Sequence, residues 1–126
     1  MLSTEQEAFW KGDFGNDYTD RNRGSKWIAA NAALFAKVLA RTQGIESVLE
    51  LGCNIGLNLA ALSHLLPQAQ ISGVEINENA ATELKKSLPH VELHRTSILE
   101  FSPSRIWDLV FTKGVLIHIN PEKLPV

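Results

Sequence analysis

Two glycines separate an apolar run from a helical pattern in residues 48–58. Residues 48–51 predict a short buried strand, and residues 58–66 show the spacing of a helix. Gly52 and Gly56 predict the turn between these elements, because glycine accepts a positive φ without strain. The segment therefore predicts a strand, a glycine loop and a helix whose N-terminal amide groups face a ligand.

Glu75 closes the next apolar run, about 20 residues beyond this loop. At that spacing a strand-helix-strand unit places an acid on the ribose hydroxyls of a nucleotide-like cofactor. A pyrophosphate is not favoured, since Asn54 stands where the G-x-G-x-x-G fingerprint has its second glycine. An NAD-binding Rossmann domain is therefore the less favoured alternative.

Composition limits the classes of partner. Twelve basic and fourteen acidic residues give a net charge of -2, so no electrostatic footprint for nucleic acid or an anionic membrane is present. The apolar stretches are far below membrane-spanning length, and the N-terminus lacks a signal pattern. Cys53 is the only cysteine, which predicts no disulfide framework. We expect a cytoplasmic protein without nucleic-acid or membrane partners.

The N-terminal part, residues 1–24, predicts a short helix and a loop. The helix covers residues 3–10, with Ser3 as the N-cap and Gln6 as its capping-box partner. The loop that follows is rich in glycine, Asp, Asn and aromatic residues, which is turn chemistry. We expect residues 25–126 to form the main domain.

A longer alanine-rich helix begins at Ser25 and runs to about Arg41, with Gly44 as its C-terminal stop. Its apolar residues predict a buried side made of Trp27, Ile28, Leu34, Phe35, Val38 and Leu39.

Strands and helices then alternate. The sequence predicts a helix over 57–66, a strand over 70–76, a helix over 78–88, strands over 91–94 and 107–111, and a helix that starts after Asn120 and Pro121. Such alternation predicts a parallel sheet with right-handed crossovers.

Residues 50–56, which read E-x-G-C-x-x-G, resemble motif I of the class I S-adenosylmethionine-dependent methyltransferases. Residues 73–77 resemble their second motif. The resemblance implies an α/β fold, a Rossmann-like three-layer sandwich whose parallel sheet has the order 3-2-1-4-5-7-6, with strands one to four present here. It also implies S-adenosylmethionine as the cofactor and methyl transfer as the activity.

The resemblance also implies roles for particular residues. The loop over residues 50–56 holds the methionine portion, Glu75 holds the ribose, and the segment after strand three holds the adenine. Glu50 has an alternative role as a structural acid that is bonded to loop amides. The candidate cofactor-binding residues are Tyr18, Glu50, Gly52, Cys53, Asn54, Gly56, Asn58, Glu75, Ile76, Ser97, Ile98, Lys113 and Gly114.

His118 is the candidate catalytic residue, as a base at the mouth of strand four. Its apolar setting favours the alternative, a packing role without a chemical duty. Cys53 is interpreted as a small residue packed under the cofactor loop rather than as a nucleophile. His90 and His94 flank a strand, where their spacing does not bring them together on a metal, and no metal site is assigned.

Aromatic residues of the N-terminal part suggest two roles. Phe9, Trp10, Phe14 and Tyr18 form either a lid over the cofactor, where aromatic faces favour a sulfonium charge, or a staple that packs the first helix onto the domain. Tyr18 is the first candidate for cofactor contact.

Residues 9–22 and 113–121 resemble a small clade of methyltransferases associated with pseudaminic acid biosynthesis. The resemblance implies a small-molecule or sugar-type methyl acceptor, such as a nonulosonic-acid-type sugar, that is methylated on oxygen or nitrogen. The alternative is a non-catalytic module that binds S-adenosylmethionine or pairs strands. Strand four is apolar and lies at an edge, which predicts a C-terminally truncated chain or a homo-oligomer.

Overall fold

The structure is a computed structural model that describes residues 4–12, 25–115 and 118–123. Its helices are α1 (Glu5–Lys11), α2 (Ser25–Leu39), α3 (Leu57–Leu65) and α4 (Glu78–Ser87). Its strands are β1 (Ser47–Leu51), β2 (Gln70–Val74), β3 (Glu92–His94) and β4 (Leu109–Phe111), and Pro121–Lys123 forms a short 3-10 helix.

The four strands form one sheet in the order β3-β2-β1-β4. All three neighbouring pairs are parallel, and Leu49 of β1 lies between Ser72 of β2 and Val110 of β4. The predicted α/β fold with a parallel sheet is therefore confirmed. The carboxyl ends of the strands meet at one edge, and the strand order reverses beside β1, where such sheets form their ligand crevice.

Both faces of β1 are buried, as its continuous apolar run predicts. Val48 packs into a core to which helices α2, α3 and α4 all contribute, through residues such as Phe35, Leu59 and Leu84. Leu49 faces the opposite side, where it packs with Val74 and Trp107. The strand is thus fixed from both sides, and so is the loop that follows it.

Side-chain hydrogen bonds at both ends of the edge strand β4 hold it beside β1. The Asp108 carboxylate accepts the backbone N–H of Glu46 at 2.8 Å, and the Asp108 N–H donates to the Ser47 hydroxyl at 2.9 Å. Thr112, just past the strand, donates its hydroxyl proton to the Leu51 carbonyl at 3.0 Å. These contacts place the segment after β4 beside the loop after β1.

The N-cap of helix α1 lies one residue later than predicted. Thr4 is its N-cap, and the Thr4 hydroxyl accepts the backbone N–H of Glu7 at 3.1 Å. The same hydroxyl lies 3.3 Å from the Glu7 carboxylate. The predicted capping pair of Ser3 and Gln6 was wrong because Thr4 and Glu7 satisfy the same pattern one residue further on.

The predicted buried side of α2 was also wrong for three residues. Trp27, Leu34 and Val38 are 42%, 44% and 40% exposed, and only Phe35 is fully buried, against Phe111 at a ring distance of 4.9 Å. The helix packs on α3 along a narrow stripe around Phe35, so apolar residues outside that stripe face away from the core.

Several predicted ends were displaced by one or two residues. The second strand ends at Val74 rather than at residue 76, and the fourth begins at Leu109 rather than at residue 107. Within the described residues after Asn120, Pro121–Lys123 form a 3-10 helix, and the Asn120 side chain accepts the Glu122 N–H at 3.0 Å. No helix within the described ranges is long and apolar enough to cross a bilayer.

Candidate functional site

The loop between β1 and α3 turns through three residues with a positive φ. Gly52, Asn54 and Gly56 have φ values of 78°, 51° and 87°. Asparagine enters the left-handed region more readily than other non-glycine residues, because its short polar side chain bonds locally. The Asn54 Oδ1 accepts the neighbouring Ile55 N–H at 2.9 Å. Asn54 therefore supports the turn at the position where the dinucleotide fingerprint has its second glycine.

The two loop glycines make room for protein atoms. A Cβ at Gly52 would lie 2.7 Å from the Cγ2 of Val115, in the segment after β4. A Cβ at Gly56 would lie 3.0 Å from the side chains of Leu84 and Leu88. Gly56 thus allows the start of α3 to approach the α4 region, and its role in cofactor binding stays a prediction.

Glu75 is held rigidly at the end of β2. Its Oε1 accepts the backbone N–H of Asn54 at 2.7 Å, and its Oε2 accepts the backbone N–H of Asn77 at the same distance. Burial raises the pKa of this carboxyl, while the backbone hydrogen bonds act in the opposite direction. Each oxygen retains a second lone pair, so the carboxylate can accept further hydrogen bonds from a ligand.

Glu50 lies near the end of β1 and is 1% exposed. Its Oε2 accepts the Asn58 side-chain N–H at 2.8 Å, so its partner is a side-chain amide rather than a loop amide. Burial raises the pKa of Glu50 to about 8, with a further rise from nearby Glu75 and opposing effects from Asn58 and Lys113. Glu50 is therefore largely protonated at neutral pH.

The second carboxyl oxygen of Glu50 faces no donor among the described residues. Its Oε1 is buried and has no hydrogen-bond partner within the described part of the chain, and the same holds for the Asn58 Oδ1. Buried polar atoms of this kind are rare and costly in folded proteins. Both residues line the cavity, where donors of a bound molecule would satisfy these oxygens.

The segment after β3 contributes a third wall. Ser97 is buried, and its hydroxyl accepts the backbone N–H of Leu99 at 3.1 Å. Ile98 packs on the core beside Leu49 and Val74. This segment thus offers one apolar and one small polar side chain to the cavity.

These parts enclose a cavity of about 200 Å³. Tyr18 lies outside the described residues, and Gly56 does not line the cavity. The structure brings the other predicted site residues together around it: Glu50, Gly52, Cys53, Asn54, Asn58, Glu75, Ile76, Ser97, Ile98, Lys113, Gly114 and His118.

Five lining residues come from the first two helices, and of these only Trp10 was predicted near the cofactor, as part of the possible aromatic lid. Gln6, Glu7 and Trp10 reach the cavity from α1, and Trp27 and Asn31 reach it from α2. The four-residue spacing of Trp27 and Asn31 places them on one helix face, which was the available signal in the sequence. Trp27 was instead assigned to the core.

His118 and Cys53 occupy different settings. The His118 ring lies 4.5 Å from the Trp10 ring in an edge-on arrangement at the cavity wall. The Cys53 sulfur is buried and would lie 2.6 Å from a Cβ at Gly73. Burial raises the pKa of Cys53 well above its usual value, with further rises from Glu50 and Glu75, so its thiol stays neutral. A neutral buried thiol is a poor nucleophile.

His90, shortly before β3, and His94, at the end of that strand, face separate partners. The His90 Nε2 lies 2.9 Å from the Ser63 hydroxyl, and the His94 Nε2 lies 3.1 Å from the Glu92 carboxylate. Among the described residues, no group of three His, Cys, Asp or Glu side chains is arranged to hold a metal ion.

Comparisons with known proteins agree with this fold. A family model described as a methyltransferase domain matches residues 49–125, which is more than half of the chain. The trans-aconitate 2-methyltransferase of Azoarcus sp. is 30% identical over 70 residues, covering 56% of this chain and 28% of that protein.

Two solved structures are also similar. The plantazolicin methyltransferase BpumL, in complex with S-adenosylhomocysteine (SAH), has 23% identity and a TM-score of 0.64, and the match covers 85% of this chain and 44% of that one. The sugar N-methyltransferase KedS8 from Streptoalloteichus sp. has 25% identity and a TM-score of 0.62, with 82% and 40% covered. The chain therefore spans less than half the length of each of these proteins.

Proposed function

Because the chain belongs to the family of methyltransferase domains, we propose that it binds S-adenosylmethionine and serves methyl transfer to a small-molecule acceptor. The observation that carries this proposal is the position of Glu75. Two backbone amides hold its carboxylate at the carboxyl end of β2, facing a cavity next to the glycine loop. A fixed carboxylate at this place suits the two hydroxyl groups of a ribose.

The remaining walls fit the other parts of this cofactor. The Glu50 Oε1, which has no partner among the described residues, suits an ammonium group and supports placing the methionine portion beside Glu50 and Asn58. Ile76, Ser97 and Ile98 form the wall for the adenine. When bound, the cofactor supplies an activated methyl group on a sulfonium.

The protein has to orient the reactants and exclude water. Holding two reactants in line can contribute several kcal/mol to the rate. Among the described lining residues, Glu7, Glu50 and Glu75 carry carboxyl groups, and Lys113 is the only lysine or arginine. Glu50 has a raised pKa of about 8, so a cationic group of a ligand beside it would favour its ionised form. His118 lines the same cavity and is the proposed proton acceptor for the methyl acceptor.

The proposed acceptor is a small molecule or a sugar-type compound, methylated on oxygen or nitrogen. The similarity to a sugar N-methyltransferase supports a sugar. The clade resemblance of residues 9–22 and 113–121 supports a nonulosonic-acid-type sugar, whose carboxylate would pair with Lys113.

Transfer of a labelled methyl group tests this proposal. The protein is incubated with methyl-labelled S-adenosylmethionine and separate panels of neutral, aminated and carboxylated sugars. Labelled product that disappears on addition of SAH supports the proposed activity, and the productive panel identifies the acceptor class. Cofactor binding with no transfer to any panel would support the alternative of a non-catalytic module.

A further inference from the structure

Asn77 connects three parts of the molecule at once. Its side-chain Oδ1 accepts the backbone N–H of Ala80 at 2.9 Å and so caps α4. Its backbone N–H donates to the Glu75 Oε2 at 2.7 Å. Its side-chain Nδ2 donates to the carbonyl oxygens of Trp10 and Lys11, both at 3.0 Å. Asn77 itself is 1% exposed.

The contact with α1 needs an amide. Asp and Ser are N-caps as good as Asn, since all three offer an oxygen to the first turn of the helix. Asn also carries an NH₂ group with two donors, and neither an ionised Asp nor the hydroxyl of Ser offers two. The two carbonyls that Asn77 binds lie at the C-terminal end of α1, where backbone acceptors lack partners within the helix.

Helix α1 depends on such contacts for its position. It has only seven residues, and helices of this length are not stable alone in water. An ion pair between Lys11 and Glu78 at 3.8 Å also reaches α1, but the two side chains are 43% and 75% exposed, and exposed pairs contribute little. The hydrogen bonds from the buried Asn77 amide are shielded from water, unlike this ion pair.

The same helix covers part of the cavity. Gln6, Glu7 and Trp10 line it together with Glu75. We infer that Asn77 is a positioning residue that holds α1 over the part of the cavity beside Glu75. Release of bound cofactor then requires the two hydrogen bonds from Asn77 to α1 to break. This inference rests on the proposed function for the identity of the cofactor, and on the hydrogen bonds alone for the position of α1.

Two variants of Asn77 test the inference. Asn77→Ser and Asn77→Asp retain an N-cap oxygen for α4 and lose the paired donors to α1. Hydrogen exchange without ligand measures the protection of the α1 amides of Ala8 and Gly12, which donate within the chain at 3.2 and 3.0 Å. Stopped-flow tryptophan fluorescence measures the rate of SAH release. Lys11→Gln, which removes only the exposed ion pair, is the matched control.

We expect both Asn77 variants to lose protection in α1 and to release SAH about tenfold faster, because two buried hydrogen bonds are removed. Protection in α4 should stay near that of the original protein, and Lys11→Gln should change neither readout. Unchanged α1 exchange in both variants would overturn the role of Asn77. Increased α1 exchange with an unchanged release rate would overturn the control of release.

The two proposals fail in different ways. If the unmodified protein binds no SAH, the proposed function fails, and the exchange measurement still decides whether Asn77 holds α1. If Asn77→Ser also increases the hydrogen exchange of the α4 amides, the role of Asn77 is judged from Asn77→Asp alone. Asp caps helices at least as well as Ser.

Discussion

The Glu75 carboxylate accepts the backbone N–H of Asn54 at 2.7 Å, although 21 positions separate the two residues in the chain. Helix α3 and strand β2 lie between them. One carboxylate therefore fixes the loop after β1 against the end of β2. The shape of the cavity next to the glycine loop depends on this contact.

Replacing Glu75 by alanine should weaken the binding of SAH by at least about 1 kcal/mol, the scale of lost charge-assisted hydrogen bonds. The loss includes the ribose contact and the support that Asn54 and Asn77 receive. Calorimetric titration measures the affinity. Glu46→Ala is the control, since that acid is exposed at the opposite end of β1. Unchanged affinity in Glu75→Ala would remove this residue from the ribose site.

Gly52→Ala should destabilise the protein more than Gly44→Ala does. Both glycines have a positive φ, of 78° and 68°, so both variants pay a similar backbone cost of about 1–2 kcal/mol. Only at Gly52 would the new Cβ meet another residue, Val115 at 2.7 Å, whereas nothing lies within 4 Å at Gly44. Urea unfolding measures both losses. Equal losses of stability in the two alanine variants would show that the contact with Val115 is not restrictive. Gly52→Val should lose the most stability.

Stability should fall as the pH rises toward 8 because of Glu50. Its pKa is raised from 4.5 to about 8 by burial, so between these values the folded state binds more protons than the unfolded state. The stabilisation is complete below the unfolded pKa and is lost as the pH rises through the folded one. Urea unfolding between pH 5 and pH 8 should show this decline, and the raised pKa of Glu75 adds to it with the same sign.

Glu50→Gln is the control for that measurement. Glutamine keeps an oxygen for the Asn58 side-chain N–H and cannot ionise. Its stability should vary less with pH over the same range. An equally steep decline in this variant would assign the pH dependence to other groups.

Binding of SAH should release protons from Glu50. The ligand's ammonium group beside the Glu50 Oε1 would favour the ionised carboxylate and so lower its pKa. Affinity should therefore increase from pH 6 to pH 7.5. Calorimetry in buffers of different ionisation enthalpy counts the released protons. Release that persists in Glu50→Gln would contradict this assignment.

Strand β4 should promote self-association. Among the described strands it pairs only with β1, and Val110 on it is 50% exposed. Unpaired apolar edges invite pairing with another chain, and lysine on an edge opposes it. Sedimentation velocity should show concentration-dependent association that Val110→Lys reduces. A monomer at all concentrations would count against the prediction.

The sheet was predictable because each strand is indicated by a short pattern of neighbouring residues in the sequence. The apolar runs and their separation by helical patterns indicate parallel strands, and Glu75 was found from its place at the end of one run. The boundary of α1 was misplaced because Thr4 offers the same capping chemistry as Ser3. Local pattern gives an element and its type more reliably than its ends.

The rest of the site depends on how helices sit on the sheet. The apolar pattern of α2 does not say which residues face α3, so Trp27 was assigned to the core although it lines the cavity. The link from Asn77 to α1 joins residues 66 and 67 positions apart, and no local pattern indicates it. Gly56 was recognised as necessary, but its neighbours Leu84 and Leu88 come from a later element.

Calorimetric titration of the protein with SAH, with NAD as the control ligand, tests the central claim most directly. The site built from Glu50, Glu75 and the glycine loop predicts saturable binding of SAH and none of NAD. Absence of SAH binding, or binding of NAD in its place, would contradict the assignment of this cavity to S-adenosylmethionine.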